Sequence, residues 1–592
     1  MFSNAFKVIN SDCIIDDIDK HFKVVAGPGA GKTYWLINHI RNVLKNSTKF
    51  NSVSKLACIT YTNVAVEEIQ KRLNLTGDRV EVSTIHSFLY NNIVKPYVHL
   101  LKDEHGKCII NYKEMDGHDD HIPSKGKIYR WKEENNLFRI VQDDKKLKRC
   151  LEDLDWVIGE GDLVLQPRND YKRKVGRYSI KKEYFPSYKQ LYWNEGTLHH
   201  EDVLYFSFKI MKRYPIIGEF IAAKYPYIFL DEFQDTSPIQ TEIIKWFADK
   251  GSIIGVIGDP AQSIFMFQGA SRKDFLEFDL PGQQNYKMES NRRSTKRIVD
   301  VLNHVRGNDS LKQEYFRDCE GNEACIIICD NITDTINKYN KERIRLELNG
   351  SSCMITQRNN SVTKLKTCSD NCIYTIWSDL DEADAERKRF LYTLLTAHEY
   401  AANSRYGIAI KEIIKIFKTD REGSLKEPFK SSPNTDKMIN RFYAVSLLEY
   451  MINNHSTNMS KTLLVFYNDL NSFFTTIGLS LKKIGGRGAF KELAETLLVK
   501  NLVSSLNVKE VKANNIRTIH KAKGTEFQSI LVYLDDDKDI GNIITPQIDG
   551  VDDICRLYYV ALSRAEDFLC IAVNKITDEE KSELEKLKFR LL

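Results

Sequence analysis

The stretch that most constrains the fold of this chain is Ala26–Thr33, AGPGAGKT. It fits the phosphate-loop pattern G-x-x-x-x-G-K-[ST], with Ala26 in place of the first glycine. Phe22-Lys23-Val24-Val25 before it reads as a short buried strand. Tyr34–Leu44 after it carries Leu36, Ile37, Ile40, Val43 and Leu44 at helical spacing. Strand, glycine-rich turn and helix together aim backbone N–H groups and a helix N-terminus at a phosphate. Gly27, Gly29 and Gly31 let the backbone approach closely, with Pro28 and Ala30 between them. Lys32 is placed to reach the β- and γ-phosphates, and Thr33 to ligate Mg²⁺. The alternative is a chance glycine-rich turn, which the rest of the chain must decide.

At 592 residues the chain is too long for one core, and roughly three to five domains are expected. A hydrophobic fraction of 42% with 28% charged residues describes a soluble globular chain. The net charge of +5, from 86 basic against 81 acidic residues, permits nucleic-acid binding only through a local patch. No secretory leader opens the chain and no run of about 18 apolar residues occurs, so no membrane segment is expected. The twelve cysteines show no disulfide-framework spacing. They read as reduced thiols of a cytoplasmic protein. Cys319, Cys325, Cys329, Cys353, Cys368 and Cys372 are the densest group; without a C-x-x-C pair they read as core cysteines rather than a metal site.

Leu56–Leu73 reads as a strand, LACIT, then an amphipathic helix with Val64, Val66, Ile69 and Leu73 inward. Val82–Phe88, VSTIHSF, reads as a strand running into a loop. Thr62, Asn63 and His86 then suit nucleic-acid contact, or Thr62 and Asn63 cap a helix and His86 is an ordinary turn histidine. Asn91–Thr197 is charge-rich. Within it, Arg168–Lys189 alternates basic residues, among them Lys172, Arg173, Lys174, Arg177 and Lys189, with Tyr171, Tyr178, Tyr184, Phe185 and Tyr188. This is either a nucleic-acid surface or a solvated hairpin. Tyr227–Asp235, YIFLDEFQD, is an apolar strand ending in acids. Downstream of a phosphate loop, Asp231 is placed for Mg²⁺ and Glu232 for the attacking water. The next strand, Ile253–Ile257, leads to GDPAQSIFMFQGA, where Gln262 is placed to sense the γ-phosphate. Phe265 and Phe267 are either core or stacking groups.

The ordered set AGPGAGKT, ITYTN, TIHSF, HHEDVL (His199–Leu204), LDEFQDTSPIQ, GDPAQSIFMFQGA, NRRS (Asn291–Ser294), TIHKAKGTEF (Thr518–Phe527) and RLYYVALSRA (Arg556–Ala565) resembles superfamily 1 DNA helicases of the UvrD/Rep/PcrA type. The resemblance runs from Phe22 to Val573. It implies an α/β fold of two RecA-like phosphate-loop domains in tandem, each with an inserted, mainly helical subdomain. The implied segments are 1–90 and 205–287 for the first core with 91–204 inserted, and 288–378 and 506–592 for the second with 379–505 inserted. It implies ATP and Mg²⁺ as cofactors. Lys32 and Thr33 would hold phosphate and Mg²⁺, and Asp231 and Glu232 would serve the metal and the water. Gln262 would contact the γ-phosphate, and Arg293 and Arg564 would act as arginine fingers. Arg292, Gly524 and Glu526 would lie beside the nucleotide. Single-stranded DNA would pass Tyr61, Thr62, Asn63, His86, Phe267 and His520, with movement 3′-to-5′ toward duplex junctions.

Three departures from the family pattern stand out. Residues 1–25 lack the glutamine that reads adenine, the usual adenine-stacking tyrosine is Arg292, and the usual arginine of the FRGA stretch is Gln268. The chain ends at Leu592, soon after the last motif, so no intrinsic nuclease is expected. The build is also similar to helicase subunits of anti-phage systems such as Gabija, which work with a separate nuclease. Three functions follow: an ATP-driven DNA helicase in repair or defence, a DNA-sensing ATPase that regulates a partner nuclease, and a structural DNA-binding module with a vestigial nucleotide site.

Overall fold

The computed structural model describes residues 6–73, 79–119, 121, 123–139, 141, 143–176, 178–307, 311–329, 331–369, 376–402, 405–417, 425, 428–430, 437–504, 506, 516–550 and 553–592. Arg177, Cys372, the loop 431–435 and the side chains of Cys368 and Gln268 lie outside the described residues. The chain divides into two compact units. One comprises residues 1–328, 343–352 and 522–592; the other comprises 329–342 and 353–521.

The first unit is built on a seven-stranded parallel sheet. Its order is Lys7–Val8, Gln284–Met288, Phe22–Ala26, Ile253–Gly258, Tyr227–Leu230, Leu56–Thr60, Val80–Thr84. Its inner strands are buried on both faces, as an all-parallel sheet requires, while the edge strand Lys7–Val8 is exposed. Successive residues alternate between two cores: Tyr227 and Phe229 pack with Trp35 and Ile37, whereas Ile228 and Leu230 pack with Phe88, Val203 and Ile243. Gly255 is dictated by packing, since a Cβ there would lie 2.1 Å from the Phe22 ring. A parallel strand set of the same unit, in the order Phe527–Tyr533, Ala565–Val573, Cys325–Ile328, Arg590–Leu591, carries the C-terminal motifs. Cys58, Cys150, Cys325, Cys353, Cys555 and Cys570 are buried, in keeping with core cysteines; Cys319 is exposed.

The region 91–204 is mainly helical, as the resemblance implies, and also holds one strand pair. Helices Lys125–Glu134, Asp144–Glu152 and Phe185–Trp193 surround an antiparallel hairpin, Leu154–Ile158 with Leu163–Pro167. Its apolar residues, Trp131, Leu147, Trp156 and Tyr188 among them, are continuous with one core of the seven-stranded sheet. The basic and aromatic alternation therefore breaks up. Phe185, Tyr188 and Lys189 turn inward on a helix and are fully buried, so they offer nothing to a nucleic acid. The passage after Val80–Thr84 is also not a loop: Ile85–Leu89 is a helix capped by Thr84, whose side chain accepts from Ser87 N.

The second unit contains a helical bundle, Ile376–Ala402, Tyr406–Ile414, Lys437–Asn453, Leu463–Thr476 and Ala489–Thr496, around Leu391, Leu395, Leu447, Phe466 and Phe474. In the same unit Met354, Ile355 and Thr356 pair in parallel with Ile516, Arg517 and Thr518. Among the described residues no helix is long and apolar enough to cross a membrane.

The helix after the phosphate loop, Lys32–Asn46, buries a histidine with its apolar face. His39 is 3% exposed, stacked on Trp35 at 5.0 Å and edge-on to Phe22, and neither ring nitrogen has a hydrogen-bond partner among the described residues. Burial pushes its pKa down to about 4. The unfolded state therefore takes up the proton first as pH falls below about 6.5, so His39 contributes stability above that value that is lost toward pH 4. His39→Phe keeps the stack and should shrink the loss of unfolding free energy on going from neutral pH to about pH 5.5 by about 1.4 kcal/mol. Denaturant titrations at the two pH values check this; an unchanged loss would contradict a buried neutral ring.

Candidate nucleotide-binding site

The site assembles in the first unit, where three parallel strand ends, Phe22–Ala26, Tyr227–Leu230 and Ile253–Gly258, lie side by side. Gly29 and Gly31 adopt φ of +71° and +82°, a left-handed geometry that costs glycine little and other residues much. Gly31 opens the helix Lys32–Asn46, so its first N–H groups, with Thr33 half-buried among them, face the loop. The loop is packed from outside. Arg292 N donates to Gly29 O at 2.8 Å, and Gln313 Nε2 donates to Pro28 O at 2.7 Å. A Cβ would lie 2.5 Å from Gln313 at Gly27, 2.6 Å from Asn291 Oδ1 at Gly29 and 2.8 Å from Ser11 at Gly31. Ala26 ends the strand, fully buried, and its carbonyl accepts from Lys32 Nζ at 3.3 Å.

Asp231 and Glu232 leave the next strand end. Glu232 has φ +55°, uncommon for a side chain with a Cβ and typical of strain held at working sites. Its carboxylate accepts from Gln234 Nε2 at 2.5 Å. Burial and the neighbouring Glu232 charge raise the Asp231 carboxyl to about 7 against the pull of Lys32. Burial also acts to raise Glu232, but Lys32, Lys523 and Arg564 outweigh it and hold it below its ordinary value.

From the third strand end, Asp259 accepts from Gln262 Nε2 at 2.8 Å and from Arg306 at 2.9 Å. Gln262 Oε1 in turn accepts from Arg564 Nη2 at 3.0 Å. Arg564 is almost fully buried; burial and nearby Arg293 push it down to about 9. Arg293 Nε donates to Glu526 Oε2 at 2.8 Å, and its Nη1 to Ser563 O at 2.9 Å. Gly524 follows with φ +80°. Arg292 pairs with Asp12, and its guanidinium lies 4.0 Å from the centroid of the Phe316 ring.

Sequence reasoning missed several participants. Lys523 Nζ bridges Asp235 Oδ2 at 2.5 Å and Gln262 O at 2.8 Å. Asp259, Arg306, Gln234 and Gln313 complete the polar frame. Lys523 stands within TIHKAKGTEF, so its charge was a visible signal, whereas Gln313 sits in a stretch with no pattern of its own.

The residues expected on a DNA path are placed less uniformly. Tyr61 stacks on Phe265 at 5.0 Å, and Phe265 lies 6.0 Å from Phe267, which is 51% exposed. Thr62 accepts from Ala65 N at 3.2 Å, so it caps the helix Asn63–Leu73; Thr62 and Asn63 are exposed. His86 faces His118 and His200 rather than a turn. Lys172 pairs with Asp153 at 2.9 Å and Arg173 with Asp170 at 2.7 Å, while Lys174 is exposed. His520 lies half-buried in the second unit.

Residues 11–281 match the UvrD/REP helicase N-terminal domain, and residues 322–576 match the UvrD-like helicase C-terminal domain. The chain belongs to the UvrD-like helicase family, a family of ATP hydrolases, with its two α/β domains in tandem. Among relatives, Gabija protein GajB of Bacillus cereus (strain HuB5-5) is 28% identical over 56% of this chain and 54% of its own length. ATP-dependent DNA helicase PcrA of Bacillus subtilis (strain 168) is 28% identical over 49% of this chain and 38% of its own length. ATP-dependent DNA helicase Rep of Buchnera aphidicola subsp. Schizaphis graminum is 24% identical over 95% of this chain and 91% of its own length. The chain thus spans about half or less of the first two and most of the third.

Proposed function

We propose that this chain is an ATP-driven motor that moves 3′-to-5′ on single-stranded DNA and opens duplex at junctions, acting in the cytoplasm. The observation that carries the reading is the convergence, within one compact unit, of a phosphate-loop lysine, two acids and two arginines linked through Gln262 and Ser563. In this reading 1–90 with 205–287 and 288–378 with 506–592 are two RecA-like modules, and 91–204 and 379–505 are their insertions.

The residues present fit a Mg²⁺–nucleotide. Among the described residues, buried Ser11 Oγ and Arg292 Nε beside the loop have no hydrogen-bond partner, and Asp231 carries the raised pKa of a buried carboxylate short of cations. Thr33 and Asp231 would hold Mg²⁺, which when bound neutralises phosphate charge. The glycine loop and Lys32 bind the phosphates, and Gln262 contacts the γ-phosphate. Glu232, kept ionised by Lys32 and Lys523, takes the proton from the attacking water. Arg564 and Arg293 supply positive charge to the equatorial oxygens as the bond breaks. Arg292 on Phe316, with Glu526 and Gly524, borders the base and sugar. The Tyr61–Phe265–Phe267 row of the first unit offers stacking faces to DNA bases, with Thr62, Asn63 and His86 of the same unit as further contacts; His520 is a separate DNA contact of the second unit.

Lys172, Arg173 and Lys174 test the basic segment. Two of the three already face carboxylates, so replacing all three by alanine should lower the salt slope of DNA binding by about 1 rather than about 3. An unchanged slope would take this segment off the DNA path.

The similarity to GajB favours a second reading, a DNA-sensing ATPase that regulates a separate nuclease. Unwinding of 3′-tailed duplexes by the isolated chain separates the two: strand separation supports the motor, and DNA-stimulated hydrolysis without separation supports the sensor.

A further inference from the structure

The geometry points to a zinc-type divalent metal site formed by His121, His199 and Glu201, which ties the segment at His121 to the start of the helix His200–Arg213. His121 Nδ1 and His199 Nε2 face each other at 3.1 Å, with the rings nearly perpendicular. A tetrahedral Zn²⁺ with bonds of about 2.0–2.1 Å needs nitrogens only slightly farther apart, about 3.3 Å. Each ring is held from behind. His199 Nδ1 lies 3.1 Å from Asp202 Oδ2 and 3.2 Å from Lys189 Nζ, and His121 Nε2 lies 3.1 Å from the Tyr188 hydroxyl, which bonds Tyr192 at 3.0 Å. A carboxylate or hydroxyl behind each ring, with the inner nitrogens converging, is the support metal-bound imidazoles have. Glu201 supplies the third donor, all three ligand atoms lying within 4.8 Å of one another.

Charge argues the same way. Fully buried Lys189 contacts Glu201 and Asp202, and the Arg168–Asp155 pair lies beside Glu201, so three carboxylates face two cations and the cluster favours one cation more. The hydrogen-bond chain from Tyr188 through His121 and His199 to Asp202 also closes without a metal, so the metal competes with a proton between the two rings.

The position suits a structural role. Asp119 N donates to Leu198 O and His200 N donates to Asp119 O, which lays the segment before His121 beside His199. His199 caps the helix His200–Arg213. A metal here would fasten the segment at His121 to the first turn of a helix, His200–Arg213, that runs on out of the insertion.

The test uses the untagged full chain. Stripped with a chelator and dialysed, it should bind about one equivalent of Zn²⁺ and unfold at a higher temperature with Zn²⁺ present, and Co²⁺ in its place should give visible bands of a site with nitrogen and oxygen ligands. His121→Ala, at a half-exposed position, should abolish all three effects. Tyr188→Phe should weaken Zn²⁺ binding about 10- to 100-fold by loosening the His121 ring. Lys189→Met separates a metal site from a salt bridge, because removing the competing ammonium should tighten Zn²⁺ binding and make folding Zn²⁺-dependent. Wild-type chain that takes up no Zn²⁺ at micromolar concentration, or binding unaltered by His121→Ala, would overturn the assignment. Neither readout depends on nucleotide hydrolysis.

Discussion

Arg564→Ala should lower ATP turnover by about 10³- to 10⁵-fold while leaving nucleotide affinity within tenfold. Arg564 is buried and already loaded with acceptors, Val560 O at 3.0 Å and Gln262 Oε1 at 3.0 Å among them. Its pKa is pushed down by burial and by Arg293, which marks a cation short of negative charge. A guanidinium stays ionised in proteins, so that shortage becomes attraction for an anion. The γ-phosphoryl gains charge on its equatorial oxygens only as the bond breaks, so the arginine acts on the transition state more than on bound ATP. Alanine also leaves Gln262 Oε1 without this donor, and Arg564→Lys, which keeps the charge but not the fork, controls for lost packing. Single-turnover hydrolysis beside binding of a fluorescent nucleotide reads the two effects apart. Turnover within tenfold of wild type would remove Arg564 from the reaction.

Glu232→Gln should cost about 10²- to 10⁴-fold in turnover, the range for losing a positioned general base. The substitution is nearly isosteric and keeps an acceptor for Gln234 Nε2. The left-handed backbone at Glu232 is strain of about 1–3 kcal/mol that either side chain must bear, so the change is confined to proton transfer. ATP should accumulate bound and unhydrolysed, which filter binding measures directly. A variant that hydrolyses at the wild-type rate would assign the water to another group.

How far the residues announced this arrangement depends on the range of the contact. The phosphate loop, the acidic strand end and Gln262 stand on local pattern: strand, turn and helix signals lie within a dozen residues of each other. The core of the sheet was equally readable, because residues buried on both faces leave continuous apolar runs such as YIFL. Contacts across hundreds of residues were not. Lys523 reaches Asp235 and Gln313 reaches Pro28 through the fold alone. The Arg168–Lys189 stretch misled because alternation of basic and aromatic residues looks the same on a surface and on a helix that buries one side. Lys189 is buried only because Glu201 and Asp202 meet it there. His86 illustrates the same limit: its partners His118 and His200 come from elsewhere in the chain, so its surroundings could not be read from TIHSF.

In the proposed function one site couples ATP hydrolysis to single-stranded DNA. The decisive measurement is steady-state ATP hydrolysis by the purified full chain, with and without single-stranded DNA and beside Glu232→Gln. Hydrolysis should rise at least about tenfold with DNA and be lost in the variant under both conditions. Hydrolysis of equal rate with and without DNA, or activity that survives Glu232→Gln, would contradict it.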